Sequence, residues 1–146
     1  MSALFPQANI LAGVLVMIVG FGFHFTGQLI SVLNWPLAER LGLQEANMPP
    51  GYRAYEHGTA MGDVLLGWSY GLAAVGLLFG ADWGYKLAVL PGAVLVYHAL
   101  CAWFWEAARR RAGHGLWTNR FRAIWCGANF GAGILTLAVA WTGPSI

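Results

Sequence analysis

Hydrophobic and polar positions in this chain are sorted into long blocks rather than interspersed. Four blocks, Met1–Ala38, Val64–Ala81, Leu87–Trp105 and Ala123–Ile146, contain no Asp, Glu, Lys or Arg. A helix of about 20 mostly apolar residues crosses the ~30 Å hydrocarbon core of a bilayer. The pattern therefore predicts an all-α fold, an integral membrane four-helix bundle. Its helices are expected at about 9–33, 55–80, 85–107 and 120–141, within a single transmembrane domain spanning residues 1–146.

The connections carry their own signals. Asn34-Trp35-Pro36 reads as a cap followed by a Pro start, opening a short segment over Pro36–Glu45. Leu37 and Leu41 beside Glu39 and Arg40 make that segment an amphipathic helix expected to lie on the membrane surface. Asn47-Met48-Pro49-Pro50-Gly51 reads as a loop, and Ala81-Asp82-Trp83-Gly84 as a tight turn. Pro91 falls inside the third span, where it should kink the helix and free a carbonyl. Trp35, Trp83, Trp117 and Trp141 sit near predicted helix ends, where indole rings anchor at the interface. Trp103, Trp105 and Trp125 are expected at the same boundary rather than as pocket walls.

Composition sharpens the class. Only 10% of the residues are charged, against about 25% in soluble domains, which leaves no room for a separate soluble unit. A net charge of +2 gives no footing for a nucleic-acid partner. Membrane lipids are the expected surroundings, with association into a homo-oligomer or a larger membrane complex open. The first block has no Lys or Arg before it and no small-residue cleavage site after it, so it reads as a retained helix.

Charge distribution predicts orientation. Of the eight Lys and Arg, seven lie in the first and third connections: Arg40, Arg53, Arg109, Arg110, Arg111, Arg120 and Arg122. Lys86 alone lies in the second. Positive residues favour the cytoplasmic side. Loops 34–55 and 108–120 are thus expected inside, with both termini outside, in the periplasm, lumen or exterior.

Small residues recur at four-residue spacing: Gly58/Gly62, Gly67/Gly71 and Gly76/Gly80 in the second span, Gly127/Gly131 in the fourth. Such spacing lets helix backbones approach closely in lipid, and it marks the second span as the expected central helix.

The candidate chemistry lies in the few polar groups within the spans. His24, Asp63, His98 and Asn129 come from four different helices. With a rise of ~1.5 Å per residue, all four lie roughly 10–14 Å from the predicted cytoplasmic boundary. Residues three, four and seven apart share a helix face. Gly20, His24, Gln28 and Ser31 form one such stripe, and Glu56, Asp63 and Tyr70 another. A charged group at the bilayer centre costs about 2.5–3.5 kcal/mol even on lenient scales. Asp63 is therefore expected to face the bundle interior and meet His24 and His98.

Several activities fit such a layer. One carboxylate and two imidazoles suit Zn²⁺ or Fe²⁺, with His24, Asp63 and His98 as ligands. Without a metal the same groups form a proton relay, because His titrates near physiological pH. Gln28, Glu56, Tyr70 and Asn129 would extend that relay or line a ligand pocket. His24 and His98 could also serve as axial ligands of haem b in an electron-transfer protein. Buried carboxylate and imidazole could act as acid and base on a lipophilic substrate. The glycine-rich faces would suit an accessory subunit of a larger complex.

Other residues are assigned plainer roles. Glu56 and His57 lie near a helix start, with His57 read as solvated. Glu106 beside Arg109–Arg111 reads as a surface ion pair, and His114 as a loop residue. Cys101 and Cys126 are the only cysteines and are expected reduced; Cys101 has a ligand-like spacing to His98. No nucleotide loop, CxxC pair, HExxH or nucleophile elbow is present, so those chemistries have no support.

Overall fold

Backbone surrounded by hydrocarbon must satisfy its hydrogen bonds within its own segment, and each uncharged block accordingly folds as one long helix. The structure, a computed structural model, describes residues 6–46, 50–113, 115 and 118–143. The readings at Asn47, Met48, Pro49, His114 and Trp117 lie outside the described residues.

Four helices among the described residues are long and apolar enough to cross a membrane: Ala8–Leu33 (α1), Gly51–Leu78 within α3, Asp82–Arg111 (α4) and Asn119–Thr142 (α5). The shortest has 24 residues and rises ~36 Å, more than the ~30 Å hydrocarbon core. A fifth, short helix, Trp35–Arg40 (α2), links α1 to α3, which starts at Pro50. The chain is an all-α four-helix bundle.

Helix ends follow local chemistry. Asn34 leaves the helical region at φ −150° and accepts the Leu37 amide on its side chain at 3.1 Å, capping α2. α2 closes at Gly42, whose φ of +70° suits glycine. The short helix is therefore six residues long, ending before the predicted Glu45. Trp35 and Ala38 are buried, while Leu37 and Leu41 face outward.

The second and third spans differ from expectation at the end carrying α2 and the arginines, the basic end. α3 starts at Pro50 instead of near Tyr55, because proline suits the first turn, whose amides need no helical partner. α4 continues past Ala107 to Arg111. Glu106 and Arg110 pair within that extension, four residues apart at 3.2 Å. Glu106 is buried there rather than at the surface, with Gly115 of the following connection beside its Oε1. Pro91 is also buried, inside a helix that continues through it.

The helices form a ring: α1 packs on α3, α3 on α4, α4 on α5, and α5 on α1. Among the described residues α3 makes no packing contact with α5. The glycine-rich second span is thus a corner of the ring, not its centre. Gly76 fits against Gly84 of α4, and Gly67 and Gly71 receive the rings of Phe25 and Phe21. Gly58, Gly62, Gly127 and Gly131 meet nothing and face outward. The close approach of α4 and α5 lies instead at Gly92 and Gly133, where a Cβ on Gly133 would come 2.8 Å from the Gly92 carbonyl oxygen.

The interior is small and apolar toward the end with the termini, where Ala8, Ala12, Ala73, Leu77, Ala88 and Val139 cluster. Large apolar side chains such as Phe23, Leu65, Phe79, Phe104 and Trp141 point outward. This arrangement matches a lipid solvent, where apolar surface carries no penalty and close packing holds helices together.

One irregularity matters for the site. Within α1, Val16–Phe25 is π-helical, a wider winding that is rare and concentrates at functional sites. From Ala8 to His24 the inward stripe of α1 recurs every four residues, at Ala8, Ala12, Val16, Gly20 and His24, with Gly13 also buried beside Ala12. In an α-helix of 3.6 residues per turn each four-residue step overshoots by about 40°. The wider turns absorb that drift and keep His24 facing inward. Thr26 closes the segment, its hydroxyl donating to the Phe21 carbonyl, five residues back, at 3.0 Å.

Candidate metal centre

His24, Asp63 and His98, from α1, α3 and α4, offer ligand atoms that all lie within 4.8 Å of one another. Each helix contributes one group, so the cluster exists only in the assembled bundle. His24 is buried, and Asp63 and His98 are partly so. Asp63 keeps 15% side-chain exposure, and His24 Nε2 approaches its Oδ2 to 3.3 Å.

The carboxylate is oriented by Gln28, one turn past His24 on α1, whose amide donates to Asp63 Oδ2 at 3.1 Å. The imidazoles of His24 and His98 meet edge to face, with centroids 4.1 Å apart and planes at 75°. Trp125 of α5 stands edge-on to His98 at 6.3 Å. Tyr70, two turns from Asp63 along α3, lies 5.7 Å from the His24 ring. Tyr70, Trp125 and the Gln28 brace thus each border one member of the cluster.

His24 is the unusual member. Both ring nitrogens are buried, and neither has a hydrogen-bond partner among the described residues. The approach to Asp63 is close, yet it does not meet hydrogen-bond geometry. Leaving a buried polar atom unpaired costs about 1–3 kcal/mol. A cation between the rings and the carboxylate would pair one His24 nitrogen and Asp63 together. Tetrahedral ligands at about 2.0–2.2 Å from an ion stand roughly 3.3–3.6 Å apart, so modest side-chain rotations would bring the present set to that spacing.

The haem reading does not fit this geometry. A porphyrin held by His24 and His98 must lie between their rings, and the rings touch.

The remaining expected site residues are distributed around the cluster. Glu56 is half-buried on the Asp63 face of α3, two turns toward the basic end. Asn129 is fully buried, and its amide donates to the Trp125 carbonyl on its own helix at 2.8 Å. His57 is exposed, with Trp35 6.0 Å away. Cys101 turns to the surface and Cys126 is buried, both as free thiols.

Sequence reasoning did not anticipate Trp125 as a wall. Its place four residues before Asn129, on one helix face, was the available signal. Nor did it anticipate the polar lock at the basic end. Arg109 donates to Glu45 at 3.1 Å and to the Tyr52 hydroxyl at 3.3 Å, while Tyr52 stacks on Trp105 with centroids 5.1 Å apart. Arg122 lies over the Trp103 ring at 4.2 Å. The contacts of Tyr52 and Arg109 depend on the extra turns of α3 and α4.

No protein-family model, no curated protein and no solved structure matches this chain.

Proposed function

We propose that this chain is a small polytopic membrane protein whose interior site binds a divalent metal ion through His24, Asp63 and His98. The observation that carries the reading is the meeting of two imidazoles and a carboxylate, from three separate spans, within 4.8 Å. Zn²⁺ and Fe²⁺ are the occupants that this donor set suits. Gln28 acts on the carboxylate as outer-shell partners do in metal sites, fixing the ligand's orientation. An ion would reach the cluster from the basic end, which the charge rule assigns to the cytoplasm with both termini outside.

Metal analysis of the purified protein tests the reading. Near-stoichiometric Zn²⁺ or Fe²⁺ in wild type, lost in Asp63→Asn, is the expected result. Wild-type protein without bound metal after equilibration with either ion removes the proposal.

A second reading draws on Glu56 and the lock below it. Asp63, Glu56 and Tyr52 mark one side of α3 from the cluster to the basic end. That ladder supports proton movement through the same residues in the absence of metal. Proton flux in proteoliposomes that persists without metal and stops in Asp63→Asn would favour it.

A further inference from the structure

Tyr70 heads the fully buried side chains of the bundle by volume, and its hydroxyl has no hydrogen-bond partner among the described residues. Phenylalanine would fill the same space without the free-energy cost of that unpaired group. The hydroxyl therefore needs a partner that the surrounding side chains do not supply.

The fold seats this phenol against the cluster by a specific device. A Cβ on Gly20 would stand 2.5 Å from Tyr70 Cδ1 and 2.9 Å from its Cγ. Only glycine at position 20 lets the ring lie where it does. Gly20 belongs to the same stripe of α1 as His24, inside the π-helical segment. The Tyr70 and His24 rings end 5.7 Å apart, with planes at 55°. Side chains on a helix lean toward its N-terminus, so Tyr70 leans toward Asp63.

We propose that Tyr70 is a positioning residue for the ion, its hydroxyl holding the water that completes the coordination by His24, Asp63 and His98. This inference rests on the metal-binding reading above. Three protein ligands and one water are the arrangement of sites that exchange ligands, whereas structural zinc sites are closed by four protein groups. A buried water typically makes about three hydrogen bonds to polar groups that otherwise lack partners. The unpaired phenol is such a group. The ion is then an accessible Lewis acid or a passing cargo, not a permanent cross-link between helices.

The experiment compares Zn²⁺ affinity and metal-free thermal stability of the full chain in detergent for wild type and Tyr70→Phe. The expected result is a 10–100-fold loss of Zn²⁺ affinity, the range for outer-shell partners. The metal-free variant should melt no lower than wild type, because an unpaired hydroxyl has been removed. Wild-type binding with unchanged affinity in Tyr70→Phe overturns the inference while leaving the metal site standing. A metal-free variant that melts well below wild type assigns Tyr70 a structural role and overturns it as well. The titration is repeated with Fe²⁺, and if wild type binds neither ion the metal-binding reading fails and this inference falls with it.

Discussion

His24 and His98 touch across the bundle, their rings 4.1 Å apart and nearly perpendicular. They belong to α1 and α4, which are not neighbours around the ring and meet through the π-helical part of α1. The wider winding thus serves the cluster directly. It turns the buried stripe of α1 toward the one helix it otherwise would not meet.

Loss of either imidazole should be felt more than loss of any brace. His24→Ala and His98→Ala each remove one of three protein ligands. Each should lower Zn²⁺ affinity by more than about 100-fold, beyond the range of outer-shell changes. Isothermal titration of the purified variants measures this, and wild-type affinity in both would contradict the ligand assignment.

Gln28→Ala should keep the bundle and weaken the site. Its amide is the side-chain group that holds Asp63 Oδ2 from α1 at hydrogen-bond distance. A 10–100-fold drop in affinity with an unchanged circular dichroism spectrum is expected.

Glycine substitutions should sort by what faces them. Gly20→Ala drives a methyl into the Tyr70 ring and should cost about 1–3 kcal/mol, the usual cost of overpacking. Gly62→Ala and Gly131→Ala meet nothing and should be neutral or slightly stabilising, since alanine is the better helix former. Thermal melts in one detergent compare the three. Equal effects would contradict the close seating of the Tyr70 ring on Gly20.

The purified protein should be colourless in the Soret region whatever haem is supplied, because the contacting imidazoles leave no slot for a macrocycle. An absorption spectrum after haem addition checks this.

The Arg109–Glu45 pair is partly shielded, with side-chain exposures of 17% and 24%. A double-mutant cycle through Arg109→Ala and Glu45→Ala should give a coupling of about 1 kcal/mol, at the upper end for exposed pairs. A value near zero would make the contact incidental.

The four spans were legible because hydropathy in long blocks reports directly on the solvent around a helix. The inward faces of His24 and Asp63 were legible for a related reason: a buried charge or imidazole cannot face acyl chains cheaply. Boundaries at the basic end were less so. α3 and α4 gain several residues there through contacts among Tyr52, Trp105, Arg109 and Glu45, which lie far apart in sequence. Glu106 differs for the same reason, since Gly115, nine residues on in the following connection, lies beside its carboxylate. The glycine spacing also misled. Gly58, Gly62, Gly127 and Gly131 carry the same four-residue signal as Gly67 and Gly71, and only the ring order of helices decides which faces find a neighbour.

By itself, then, the chain's order of residues determined a membrane-spanning helical bundle and named the polar groups that had to be sheltered. It could do so because hydropathy and helical periodicity act within one segment. Which sheltered groups meet was decided by tertiary structure alone. That outcome depends on the ring order of α1, α3, α4 and α5, on the π-helical turns that keep His24 facing inward, and on backbone approaches at Gly76–Gly84 and Gly92–Gly133. Each is a relation between segments, and no local pattern encodes it.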